Sequence, residues 1–334
     1  MKKLVCAALV VFSLYSCTDD NDITVDNNNN IENGYLIVNE GNFQSANGSI
    51  TYLSNDFSTI QENLFKTVNQ RSVGDVPQSL AITDKFVFIV VNNSNTIEIV
   101  DRKTFKSVNT ISSNLFNPRF ILAKNNKLYV TNGNKAEISV FNAETFEYIS
   151  SISLNYTAEN IVATNDYIYT ANGFYSGGTL VEVINPATDK NTEDISFDNP
   201  INGLTSDSNA AYVLDTNDKV TNITKIQANT KSVSKVLSQT NSRYLVADQN
   251  QLYYTSGTGI YKLDTNLNTT ANKLFDVPNN DFSTLYGFNV INGSIFTSDA
   301  NGFTDKGKAT VYNQTGNILK TFTTGIGPCG FYKF

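Results

Sequence analysis

Hydrophobic and polar positions along this chain alternate in short bursts. Runs such as "FIVVNN" (Phe88 to Asn93), "LYVTNG" (Leu128 to Gly133) and "IYTANG" (Ile168 to Gly173) begin as β-branched and aromatic strands and stop in an amide or glycine. Breaks of Asn, Asp, Gly and Pro fall every eight to twelve residues, the signature of successive hairpins. No window carries a convincing amphipathic helical stripe. The pattern predicts an all-β chain.

The bursts also keep a period. Asn93, Gly133 and Gly173 stand at steps of 40, with weaker echoes from Tyr35, Ala211, Leu252 and Ile295, so there are seven copies. A second marker, "DRKTFK", "NAETFE", "NPATDK" and "QANTKS", places Thr104, Thr145, Thr188 and Thr230 at steps of 41, 43 and 42. Four strands, A to D, per repeat of roughly 42 residues, seven times, predict a seven-bladed β-propeller. The first copy lacks an upstream strand A, and the chain finishes with a surplus one, "GPCGFYKF" (Gly327 to Phe334). That strand is expected to complete the first blade and close the ring, with Cys329 a small buried residue within it.

The first residues follow a different pattern. Lys2 and Lys3 precede an apolar run, Leu4 to Tyr15, too short to span a bilayer and shaped like a secretory signal. It ends in "LYSC", which resembles the lipobox of bacterial lipoproteins and makes Cys17 the expected lipidated residue. Residues 1–16 are read as the lipoprotein signal peptide, 17–34 as the lipidated cysteine and a disordered acidic and Asn-rich tether, and 35–334 as the propeller. The start of the tether, "TDDND", resembles the export signal that carries Bacteroidota lipoproteins to the outer face of the outer membrane. The expected localisation is therefore the outer membrane, lipid-anchored and facing the exterior, with no other membrane contact.

Composition narrows the chemistry. A net charge of -7 without a long basic run argues against nucleic acid. With Cys6 in the signal and Cys17 lipidated, Cys329 has no partner for a disulfide. The absence of His excludes Ser-His-Asp and Cys-His catalysis and imidazole ligation of zinc or of a corrinoid cobalt. No spacing resembles a dedicated metal cage, so no metal site and no catalytic residue is expected.

The absence of Trp rules out a WD40-type repeat, while "YVTN" (Tyr129 to Asn132) is the signature of the YVTN propellers. "VNEGNFQ", "GDVPQSL", "VVNNSNTIEIVD", "PRF", "YGF" and "TGIGPCGFYKF" resemble the BtuG-like surface lipoproteins of Bacteroidota, over essentially all of Tyr35 to Phe334. That resemblance implies a seven-bladed propeller that captures a corrinoid of the vitamin B12 type. It also implies a partner, a TonB-dependent outer-membrane transporter that receives the cargo. No cofactor is required. A protein- or glycan-binding surface propeller is the alternative, and a lactonase-like or metal-dependent enzyme the third reading.

Antiparallel alternation puts the B–C turns and D–A connections on one face. The candidate ligand-binding residues there are Glu40, Asn42, Phe43, Gln78, Asn92, Asn93, Arg119, Asn132, Asn172, Phe174, Tyr175, Asp215, Arg243, Tyr244, Tyr286, Asp299 and Phe303. Asn and Gln match carboxamide side chains and aromatics cover an apolar ring, as a corrinoid periphery requires. The same Asn and Asp residues are also what tight turns need. Arg119 and Arg243 open strand A of blades three and six; they are read either as meeting a ligand phosphate or as pairing with acidic neighbours in the channel.

Overall fold

The computed structural model describes residues 30–172, 177–279, 281 and 283–334. The signal segment, Cys17, Phe174 and Tyr175 lie outside them. Seven four-stranded antiparallel sheets form the ring expected of a seven-bladed propeller. Their inner strands, A, are Pro328–Lys333 in blade one, then Pro77–Ile82, Pro118–Lys124, Ala158–Ala163, Ile201–Ser206, Arg243–Asp248 and Gly287–Ile291 in blades two to seven. Among the described residues no helix is long and apolar enough to cross a membrane.

Position within the blade explains the bursts. Strands B and C are packed between neighbouring blades, so both faces are covered and runs such as Lys127–Asn132 and Glu137–Asn142 are buried almost throughout. Strand D lies at the rim, and Thr230–Leu237 is exposed along nearly all its length. The tyrosine of "YVTN" staples blades together: the buried Tyr129 hydroxyl donates 2.9 Å to Asp189 Oδ1 in the next blade's C–D turn. Tyr169 and Tyr253, at the equivalent places, reach Ala228 O and Gln314 Oε1 in the same way.

The ring closes at its ends. Pro328–Lys333 pairs antiparallel with Gly34–Asn39, Tyr35 facing Lys333 and Val38 facing Gly330. Gly34 and Phe334 exchange both backbone hydrogen bonds (3.0 and 2.8 Å). Packing starts before the strand: Ile31 lies in the core and its N–H donates 2.6 Å to Lys103 O.

Two details depart from the expected pattern. The fourth strand of blade one shrinks to Ile60–Gln61, and a six-residue helix, Leu64–Asn69, follows it and buries Leu64 and Phe65. Such a helix is too short to leave a periodic stripe. Between blades two and three the structural step is 41, not 40: Pro77 faces Val91 whereas Pro118 faces Asn132. Asn92 is therefore the counterpart of Gly133; their N–H groups donate 2.8 Å to Val76 O and Asn117 O respectively.

Candidate functional site

Counting back from each A–B hairpin brings seven residues to one level of the inner strands. They are Cys329, Gln78, Arg119, Glu159, Asn202, Arg243 and Tyr286, for blades one to seven, and all line a central cavity of about 440 Å³. Glu40, from the first B–C turn, and Tyr244, beside Arg243, line it too. The inner strand can present polar side chains here because its inward face meets the channel rather than another sheet.

A belt of side chains joins five blades. Tyr286 donates to Glu40 Oε2 (2.5 Å), and Gln78 Nε2 donates to Glu40 Oε1 (3.1 Å). Arg119 Nη1 donates to Gln78 Oε1 (2.9 Å) and its Nε to Glu159 Oε2 (2.8 Å). Burial pushes the Glu40 carboxyl above its usual range, against the hydrogen bond from Tyr286 and the charge of Arg119. Gly41, at φ +77°, makes the turn that points Glu40 inward; a Cβ there would lie 2.4 Å from Asn47 Oδ1.

The remaining members are held by neighbours as well. Asn202 Nδ2 donates to Ser242 O (3.2 Å). Arg243 lies with its guanidinium carbon 5.0 Å from the Tyr244 ring centre, and the Tyr244 hydroxyl donates to Tyr286 O (2.6 Å). Cys329 borders the cavity because the closing strand is an inner strand, and it is largely covered there, packed against the core with its Sγ 3.6 Å from Val38 O. Burial first, and then the nearby Glu40 charge, raise its thiol pKa well above the ordinary value, keeping the sulfur protonated.

Aromatic residues stand on the face above the cavity. Phe43 is 67% exposed, Phe303 packs edge-on against Tyr286 (4.8 Å between centres), and Asn42 Nδ2 donates to Phe303 O (2.7 Å), joining the first- and seventh-blade turns. Tyr156 (58% exposed) and Phe116 lie on D–A connections.

Of the predicted residues, Glu40, Gln78, Arg119, Asn172, Arg243, Tyr244 and Tyr286 line the cavity. Others belong to the turns themselves. Asn132 is fully buried: its Nδ2 donates to Glu137 O (3.1 Å) and Ser139 Oγ (3.0 Å), and its Oδ1 accepts from Phe116 N (2.9 Å). Asn92, also buried, donates to Pro118 O (2.8 Å). Asp215 is 2% exposed and accepts from Asn199 (2.7 Å) and Asn222 (2.9 Å). In all three the polar atoms are enclosed by hydrogen bonds to neighbouring strands and connections. Asn93 is tied to Asp75 (2.5 Å), and Asp299 Oδ1 accepts from the Asn301 N–H (2.7 Å). Sequence reasoning missed Glu159 and Asn202. The signal was present in Glu159, 40 residues beyond Arg119 and at the same place in its strand.

No curated protein matches the chain. A quinonprotein alcohol dehydrogenase-like protein of Bacteroides thetaiotaomicron VPI-5482 is similar in structure, with TM-score 0.70 and 16% identity over 90% of this chain and 79% of the other. So is a candidate 6-phosphogluconolactonase of Bacteroides fragilis NCTC 9343, with TM-score 0.65 and 14% identity over 90% and 98%. Hydrazine synthase of Kuenenia stuttgartiensis follows the same architecture, with TM-score 0.62 and 14% identity over 76% and 89%. At these identities the likeness is one of fold. Family membership rests on the sequence itself: residues 33–317 match the model described as "Domain of unknown function (DUF5074)", and the chain belongs to that family.

Proposed function

We propose that this protein acts by binding, without a chemical step, and that its ligand is a corrinoid of the vitamin B12 type captured on the face where the B–C turns and D–A connections meet. In this reading Cys17 carries the lipid anchor on the outer surface of the outer membrane. The cargo passes to a TonB-dependent transporter through differential affinity in the free and docked states.

The observation that carries the reading is one of chemistry and shape together. A cavity of about 440 Å³ is lined by amide, guanidinium, carboxylate and phenol groups, and exposed aromatic residues stand on the B–C turns and D–A connections at that end of the inner strands. That volume lies at the small end of what a drug-sized ligand fills. A corrin macrocycle therefore lies across the mouth, against Phe43, Phe303 and Tyr156, with a side arm descending to the ring of polar groups. Polar groups already held by neighbours are preorganised, which lowers the ordering cost of binding.

Calorimetric titration of the purified protein with cyanocobalamin and cobinamide tests this. The expected result is one-to-one binding that weakens in Phe43→Ala and Tyr156→Ala. Absence of heat with either ligand, from protein that unfolds cooperatively, refutes corrinoid capture and leaves a protein- or glycan-binding propeller.

A further inference from the structure

Two buried carboxylates occupy the same place in different blades. Glu98 and Glu182 are each the third residue of strand C, in Thr96–Asp101 of blade two and Leu180–Asn185 of blade four, with 3% and 2% exposure. Burying a carboxylate costs stability unless partners replace its water. Glu98 has a cation: Arg71 Nη2 donates to its Oε1 at 2.5 Å, beside the Ser107 hydroxyl at 2.6 Å. Glu182 belongs to no ion pair among the described residues, and its partners are amides.

Glu182 Oε1 accepts from the Asn155 N–H (2.9 Å), from Asn155 Nδ2 (3.1 Å) and from Asn191 Nδ2 (3.0 Å). Asp194 stands opposite Glu182 on strand D, and the same two amides bridge to it: Asn155 Nδ2 donates to its Oδ2 (2.7 Å) and Asn191 Nδ2 to its Oδ1 (2.8 Å). Burial raises the Glu182 pKa most, the Asp194 charge acts the same way, and the N–H groups of Asn155 and Tyr156 oppose both. Like charges facing one another across two strands work against folding. What the pair gains is a grip on the connection from blade three to blade four. Residues 154–157 carry the exposed Tyr156 and lead into the strand that presents Glu159 to the cavity. The Leu154 N–H is held as well, donating 2.9 Å to Ala136 O. Sites that break a local folding rule in this way are where function is concentrated.

We propose, resting on the corrinoid reading, that Glu182 is a positioning residue: by holding Asn155 it fixes Tyr156 against the macrocycle at the mouth, without touching the ligand itself. Glu98 and Glu182 thus share a strand position and differ in role, one balanced by an arginine and the other committed to a connection that carries a ligand contact. A connection fixed beforehand loses less freedom when the ligand arrives, so the hold on Asn155 appears in the affinity.

A double-mutant cycle on Glu182→Gln and Tyr156→Ala tests this, read by cyanocobalamin titration, with thermal unfolding and ligand-free amide exchange on each protein. An uncharged acceptor at position 182 weakens the charge-assisted bonds to Asn155 and Asn191, so Glu182→Gln is expected to weaken binding roughly three- to tenfold. In the Tyr156→Ala background the same substitution is expected to change affinity less than about twofold, because the side chain it positions is gone. Exchange is expected to quicken in residues 154–157 of ligand-free Glu182→Gln and to match wild type elsewhere. Asn155→Ala, which removes the bridging amide at an exposed position, is a second variant with the same expectations, used if Glu182→Gln does not fold. The same loss of affinity in both backgrounds, or none in either, overturns the role. If cyanocobalamin does not bind wild-type protein, the corrinoid reading fails by itself and exchange decides the hold on the connection: quickening confined to residues 154–157 keeps it, and unchanged exchange overturns it.

Discussion

Two residues from the list of candidates show how closely related side chains part company. Asn132 and Asn172 end the same strand in successive blades and each uses its Oδ1 to accept a backbone N–H, from Phe116 and from Leu180 respectively, yet Asn132 is fully buried while Asn172 borders the cavity. Asn132→Ala removes the acceptor for the Phe116 N–H and is expected to cost about 1–3 kcal/mol in urea unfolding, with ligand affinity unchanged. Glu40 makes a pH prediction. Its folded pKa lies above the ordinary value of 4.5, so the native state holds its proton more tightly than the unfolded chain. Its contribution is fully present below that value and is lost as pH rises through the folded pKa. The stability of wild type relative to Glu40→Gln should therefore decline with pH above about 4.5, measured by melting across pH 4 to 8; a difference that rises with pH contradicts the buried carboxyl.

Elements were easier to read than residues. Strands B and C leave long β-branched runs because both faces are covered, and three of the four Thr-marked turns place a left-handed residue after the threonine, at Phe105, Phe146 and Asp189. The seven blades and the closing strand followed from those signals. What stayed hidden depended on register: the one-residue slip at Asn92 and the inward face of Cys329 come from strand pairing, which a single sequence does not state. Glu159 and Asn202 escaped because inner strands combine a bulge with half-exposed alternation and carry no repeated motif. The short helix escaped through its length. Deleting residues 327–334 removes the partner of Gly34–Asn39 and leaves that edge open, so the shortened protein is expected to elute as soluble aggregate and lose its cooperative melt. A monomer melting like the full chain would contradict closure by this strand.

At the scale of the whole molecule the two faces of the propeller carry different features. The chain joins the ring beside the C–D turns, where Ile31 bonds to Lys103, while the cavity mouth and its aromatics belong to the B–C face. In the proposed reading, point of attachment and capture face are separated by the depth of the blades. Hydrogen exchange of the purified protein with and without cyanocobalamin tests binding and face at once. The account predicts slowed exchange around residues 40–48, 114–117, 154–157 and 299–307, and none around 83–85, 125–126, 207–209 and 292–293. Unchanged exchange throughout, or protection confined to the second group, would contradict capture on this face.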